Sequence, residues 1–523
     1  MTRSASRAGL AAVLLPLFCG TACSQAGSEA APSSAPLSPP PGLAGQAAGG
    51  DGTPTWYRDV EPIVQVHCVG CHTATGAGAF PMDRETTTSI ADFVAATVLD
   101  GKMPPWPVGP ASARIVDARG LEPRDVRTIV DWAAAGAPLG DPRDHVDRAP
   151  RARPLPARSP DIVLGTEEAK PYVEPSSPFV TDEVRCFVMD TPPRLAGARV
   201  TAARFLAGAP LGVHDMGAIV VDAATATMLR TRGGVDGRAG FECGGGLGDA
   251  EGVLLGGHDT GSGPPAATIL PAQTSVAIPE GGAIVLRVHY GVKHLAGAVD
   301  RPSVALWLAS PEEAATLRAL LPITIEAPVE IPCPTGVSTD PSSPCSRDAA
   351  FARFAAVLPA DARARADARL ARCGARLDAM TNALAFSPGG AARFLVPTTC
   401  REPAPFDGTI RVVRAQLHTY GASVRVEAEQ PDGAWEVVLD IPRWRWGWAG
   451  AYVLEKGVAI HAGRGLRISC TFDNGLANQW SALTGEPGHG GPSRSPWVAP
   501  SYLIAAPHRA AERCAVDLAV DRR

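Results

Sequence analysis

The run Ala283-Ile284-Val285-Leu286-Arg287-Val288-His289 decides how most of this chain is read. It is rich in β-branched residues, and the same texture returns in Ala218-Ile219-Val220-Val221 and in Thr409 to His418. Turn residues separate these runs, as they do in an all-β sandwich. The texture begins at about Ile162 and holds to the C-terminus with one interruption. Ala360 to Arg372 is rich in Ala, Arg and Asp and stops at Cys373-Gly374, which predicts an inserted helix with Gly as its C-terminal cap. No internal repeat of fixed period is present.

Before Ile162 the chain reads differently. Arg3 and Arg7, the apolar run Ala8 to Phe18, and Gly20-Thr21-Ala22-Cys23 form an export signal covering residues 1–23. Cys23 is a candidate for the lipid-bearing first residue of a mature bacterial lipoprotein, although Gly20 stands where Leu is usual. Residues 24–54 are rich in Ala, Gly, Ser and Pro and form a disordered spacer. Residues 55–144 read as short helices: Asp59 to Val64 leads into a cysteine motif, Ser89 to Leu99 is amphipathic, and Glu122 to Ala135 ends near Gly136. An Arg/Pro-rich linker follows within 145–175.

At 523 residues the chain exceeds one core, and at about 100–200 residues per domain it suggests three folded units. Charged residues are 19% of it and the formal net charge is -5, with no block of like charge, so neither nucleic acid nor an anionic membrane surface is expected as a partner. No stretch after the signal has the roughly 20 apolar residues needed to span a bilayer. The expected contact with a membrane is an N-terminal lipid anchor alone, on a protein that is periplasmic or held at the outer membrane or cell surface. Of 12 cysteines, Cys19 leaves with the signal, Cys23 is the lipidation candidate, and Cys68 and Cys71 belong to the motif below. The even remainder (Cys186, Cys243, Cys333, Cys345, Cys373, Cys400, Cys470 and Cys514) argues for disulfides in an oxidising compartment, with connectivity open.

Cys68-Val69-Gly70-Cys71-His72 is the attachment sequence for c-type haem. Two thiols at this spacing reach both vinyl groups of the porphyrin, and the adjacent His offers a ring nitrogen to the iron. A zinc or redox cysteine pair is the competing reading, but zinc calls for a second ligand pair. The other face of the iron takes a thioether or imidazole. Met103, in Gly101-Lys102-Met103-Pro104-Pro105-Trp106-Pro107, is the candidate, because prolines hold the chain open there. Met82 is the rival, read as a core or loop residue, and His67 is too close to the attachment site to cross the ring. His/Met ligation implies electron transfer rather than oxygen activation.

With Met103-Pro104-Pro105-Trp106 and Asp131-Trp132-Ala133-Ala134-Ala135-Gly136-Ala137-Pro138, this motif resembles the small, all-α cytochrome c domain of bacterial exported redox proteins. The remainder resembles the copper type II, ascorbate-dependent monooxygenases, the family of the peptidylglycine α-hydroxylating and dopamine β-monooxygenases. The landmarks, from about Val184 onward, are Cys186-Phe187-Val188, Val213-His214-Asp215, Cys243-Gly244-Gly245, Leu286-Arg287-Val288-His289-Tyr290, Leu417-His418-Thr419-Tyr420-Gly421, Tyr452, Ser469-Cys470 and Glu512-Arg513-Cys514. The resemblance implies two successive jelly-roll-like β-sandwiches, at 176–325 and at 326–523 with the helical insert. Each would hold one copper across a solvent cleft, one passing electrons and the other binding oxygen.

Carried over position by position, the first copper would take His214 and His289, with Asp215 where a second adjacent His is expected. The second would take His418, with Tyr420 in place of a His and Arg513 in place of the Met. No two His in the chain are adjacent or separated by one residue, and no Met follows Met380. A guanidinium stays protonated and cannot ligate, and a carboxylate suits Cu(II) better than Cu(I). The blander reading makes His214, His289 and His418 buried remnants hydrogen-bonded at strand ends. His258, His461, His489 and His508 are reserve ligands. The resemblance also implies a Cys470–Cys514 disulfide; Cys333 with Cys400 and Cys345 with Cys373 are suggested around the insert.

Two functions follow, beside a blander one in which the haem is a minor electron relay on a surface lipoprotein. One is an exported haem c electron-transfer protein, served by a redox partner protein or a small electron donor, whose monooxygenase-like module has lost copper ligands. The other is a divergent copper-dependent monooxygenase fed electrons by its own haem.

Overall fold

The computed structural model describes residues 52–73, 80–151, 153–165, 182–209, 212–243, 252–259, 266–291, 299–327, 339–342, 395–417, 420–445, 450–473 and 513–523, with the single positions Tyr172, Gly297, Val329, Ile331, Ser346, Cys373 and Trp448. The side chains of His258 and Asp259 fall outside that description. So do the export signal and Cys23, nearly all of the spacer, the helix expected over Ala360 to Arg372, and Cys333, Cys345, His418, His489 and His508. Within the described residues the chain is mostly β-sheet with few helices, and no helix is long and apolar enough to cross a membrane.

Most of the described helices precede residue 135, with Ala223–Arg230 and Pro311–Thr316 set among the strands. Glu61–His67 starts with Pro62 in its first turn, where the missing N–H costs nothing. Asp83 caps Arg84–Ser89 by accepting from the Thr86 N–H at 2.8 Å. The single helix expected over Ser89 to Leu99 is two helices, because Ile90 (φ −119, ψ 26) breaks the run before Ala91–Leu99. Pro123–Ala134 follows Glu122 as anticipated, and Gly136 takes the left-handed φ of +83 just beyond its end. These helices bury Trp56, Val60, Val64, Val98, Ile129 and Trp132 against one another. The two indoles lie 5.8 Å apart.

The β part is built on one long sheet. Its strand order is Ile162–Gly165, Ser303–Leu308, Arg199–Leu206, Thr274–Ala277, Arg318–Ala327, Cys514–Arg522, Gly408–Gln416 and Tyr452–Ile460, with Thr268–Ile269 paired to Arg199–Leu206 off that path. Its first half packs on a five-stranded sheet ordered Phe241–Glu242, Asp182–Asp190, Ala283–Gly291, Val213–Val221 and Val253–Asp259. Phe187, Leu286, Val304 and Leu306 fill the space between. Its second half packs on a four-stranded sheet ordered Leu395–Pro403, Gly465–Asp473, Gly421–Glu429 and Trp435–Ile441, around Val413, Val426, Ile468 and Val516. The halves join where Arg318 and Ala319 pair in parallel with Thr274 and Ser275.

Gly408–Gln416 lies between the two cores. Val413 and Ala415 point into the second core, whereas Val412, with Val453 and Ala519, belongs to the first. A strand covered on both faces carries apolar residues on each of them, so a clean apolar/polar alternation is lost.

Among the described residues there are disulfides Cys186–Cys243, Cys373–Cys400 and Cys470–Cys514. The last agrees with expectation and staples the four-stranded sheet to the long one. The suggested pairings of Cys333 with Cys400 and Cys345 with Cys373 are corrected: Cys373 and Cys400 bond each other, their Cα atoms 4.8 Å apart, so neither is left for another partner.

Candidate haem centre and the altered metal positions

Cys68 is the C-cap of Glu61–His67, and the N–H groups of Cys71 and His72 both donate to its carbonyl at 3.0 Å. The motif is therefore a tight turn carried directly on a helix end. Neither cysteine is in a disulfide, and both are half-buried, as is His72. Burial pushes the Cys68 thiol up to about 12, with Cys71 adding to the shift. A redox cysteine needs the opposite, a depressed thiolate pKa.

The His72 Nδ1 lies 3.2 Å from the Phe80 carbonyl oxygen. A carbonyl can only accept, so Nδ1 carries the proton and Nε2 keeps its lone pair. Burial lowers the His72 pKa more than this hydrogen bond raises it, which favours the neutral, ligating form. The Phe80 ring sits 5.2 Å from the imidazole. Orientation of a ligand imidazole through its second nitrogen is the usual way a protein fixes an axial histidine.

The methionines part company. Met82 is 7% exposed inside the helical core, whereas Met103 is 38% exposed on an irregular segment. A buried thioether is already packed; an exposed one just ahead of two prolines can be offered to a ligand. Three buried donors of the helical region, Thr55 Oγ1, Trp56 Nε1 and Thr87 Oγ1, have no hydrogen-bond partner among the described residues. Indole and hydroxyl donors of this kind suit a carboxylate-bearing group such as a haem propionate. The residues present thus fit covalent haem.

The positions matching copper ligands form a different site. His214 occupies a β-bulge of Val213–Val221, and its ring lies 5.1 Å from that of His289 on the neighbouring strand. Asp215 stands opposite His289 in the register and accepts from its Nδ1 at 3.0 Å. Arg287, on the same strand face as His289, pairs with the other Asp215 oxygen. Burial opposes the Asp215 charge, but Arg287 and the His289 hydrogen bond outweigh it and hold the carboxyl at about 2. Both of its oxygens are committed. Arg414, buried on Gly408–Gln416, reaches this region across the junction of the halves, and burial together with the Arg287 charge brings its pKa down to about 10.

At the second position, His418 lies outside the described residues. Tyr420 is 4% exposed. Arg513 forms a forked pair with Glu326, Nε to Oε1 at 3.3 Å and Nη2 to Oε2 at 3.1 Å. Burial works against its charge, and Glu326 overrides that and keeps it cationic. Of the reserve ligands, His461 faces Asp407 at 3.8 Å. Cys373, Cys400 and Glu402 gather within 4.8 Å, but their sulfurs are joined in the disulfide and cannot ligate.

Sequence reasoning did not anticipate Phe80, Glu326 or Arg414 as partners. Arg287 was within reach, since residues two apart on a strand share a face. The others arrive from distant strands or through a backbone oxygen that any residue could supply.

No protein-family model and no curated protein matches this chain. Among solved structures, the capsid of the virus PBCV-1 aligns over 70% of this chain and 95% of its own at 8% identity and a TM-score of 0.19. An oxalate decarboxylase of Bacillus subtilis aligns over 64% and 84% at 8% identity and a TM-score of 0.11. Likenesses this slight carry no argument about fold or function.

Proposed function

We propose that this is an exported c-type haem electron-transfer protein: a small cytochrome c domain joined to two jelly-roll-like sandwiches of monooxygenase type that no longer hold redox copper. The observation that carries the reading is the His72 ring, whose Nδ1 donates to the Phe80 carbonyl while Nε2 keeps its lone pair beside Cys68 and Cys71. His72 and Met103 would hold the haem iron, and a haem so held would supply one-electron exchange. The chain's own residues would attach it through Cys68 and Cys71 and fix the imidazole tautomer through the Phe80 carbonyl. Three disulfides among the described residues suit an exported protein. Its redox partner is a protein or a small donor that meets the haem edge.

The copper reading is disfavoured by the donor sets. Asp215 is spent on Arg287 and His289, and Arg513 is a buried cation held by Glu326. The proximity of His214 and His289 is the one observation that favours a divergent monooxygenase. Metal analysis of purified, haem-loaded protein separates the two. Iron in step with the chain and no copper is expected. About two coppers per chain, with a Cu(II) signal that ascorbate bleaches, would establish the enzyme instead.

A further inference from the structure

Residues 106–116 lie between helices in the sequence yet pack into the second sandwich. Ile115 is 7% exposed within that core, with Trp106, Val108 and Ala113 packed against it. The segment closes one side of the sandwich by pairing with the outermost strand of each sheet. Gly109 N–H donates to the Asp440 carbonyl at 2.7 Å, and Asp440 N–H donates to Ser112 Oγ at 2.8 Å, on the edge strand Trp435–Ile441. Ile115 then bridges to Leu454, and Val116 N–H donates to the Val453 carbonyl at 2.9 Å, on the edge strand Tyr452–Ile460.

Met103 sits just ahead of this clamp and is anchored on both sides. On one side, Arg445 Nη2 pairs with Asp100 at 3.1 Å, and a Cβ at Gly101 would meet Arg443 at 2.7 Å. On the other, the Trp106 ring meets the Tyr452 ring edge-on, with centroids 5.5 Å apart and planes at 85°. Arg119 lies over the same indole at 5.3 Å, and a Cβ at Gly120 would meet it at 2.8 Å. An irregular, proline-rich segment has no backbone ladder to hold a side chain in place, so the precision of Met103 must come from these contacts.

We infer that the second sandwich positions the haem ligand: Tyr452, acting through Trp106, is a positioning residue for Met103. This rests on the haem reading above. The β half thereby sets the ligation of the iron, and any event that displaces Tyr452 is reported at the haem.

The test uses the full-length, haem-loaded chain and carbon monoxide binding to the reduced protein, with Met103→Ala as the reference for an open coordination site. Tyr452→Ala is expected to raise carbon monoxide binding from background to the Met103→Ala level and to abolish the ferric haem–thioether charge-transfer band. Tyr452→Phe, which keeps the ring edge against Trp106, is expected to behave as the parent. Should Tyr452→Ala fail to fold, Gly109→Ala serves in its place, since its new Cβ would meet Pro442 at 2.8 Å and Asp440 at 3.0 Å and lift the clamp. A folded, haem-loaded variant as inert to carbon monoxide as the parent overturns the inference, as does a Met103→Ala protein indistinguishable from the parent. A parent chain without porphyrin defeats the haem reading itself.

Discussion

His289 donates its Nδ1 proton to Asp215 across 3.0 Å, at the position where a ligand-bearing histidine would be expected beside His214. The carboxylate is therefore an ionic hub. It holds Arg287 on one oxygen and His289 on the other, with its own side chain 3% exposed.

Removing that hub takes the counter-charge from the half-buried Arg287 and from the buried Arg414. Asp215→Ala is expected to destabilise the chain by about 3–5 kcal/mol, the scale for breaking a buried pair from one side. Urea unfolding checks this, as a lower midpoint at unchanged slope. A loss within the ordinary surface range would show that the cluster is slack.

The Cys470–Cys514 bond closes a separation of 44 residues between the two sheets of the second sandwich. Chain entropy alone gives it about 4 kcal/mol. Cys470→Ser is expected to lower the unfolding free energy on that scale, and to leave Cys514 open to alkylation on denaturation under non-reducing conditions.

His145 ties the segment after the helices back onto Glu61–His67. Its Nδ1 lies 2.6 Å from Glu61 and its Nε2 3.1 Å from Asp147. The hydrogen bond and charge of Glu61 raise its pKa above the ordinary value. The contribution is thus fully present below about pH 6.5, the unfolded value, and lost as pH rises through the folded one. Hydrogen exchange at the Arg148 and Arg151 amides, which donate to Gln65 and the Val66 carbonyl, is expected to quicken over that interval beyond its intrinsic pH dependence. In His145→Asn the extra quickening should vanish.

Met103→Ala is expected to open a coordination position on reduced haem and admit carbon monoxide, whereas Met82→Leu is expected to change only stability. An unchanged reduced spectrum in Met103→Ala under carbon monoxide would remove Met103 from the iron.

Local signals were legible where the chain speaks through near neighbours. The strand runs Ala218 to Val221 and Ala283 to His289 fall inside strands, and the run Thr409 to His418 matches Gly408–Gln416 as far as Gln416, His418 lying outside the described residues. Pro123–Ala134 ends where Gly136 foretold. Ile90 broke a helix that periodicity alone would carry through. The continuous sheet shared by both halves was not legible, because the Arg318–Thr274 pairing depends on no local pattern. Nor was the docking of Ile115 on Leu454, since a short β-bridge across more than three hundred residues leaves no periodicity in the sequence.

Intact mass of the full chain after co-expression with cytochrome c maturation machinery tests the central claim most directly. The expected result is a denatured polypeptide heavier by one haem, its porphyrin absorbance surviving acid–acetone extraction, with the addition lost in Cys68→Ser/Cys71→Ser. A chain of unmodified mass with no porphyrin absorbance would contradict it.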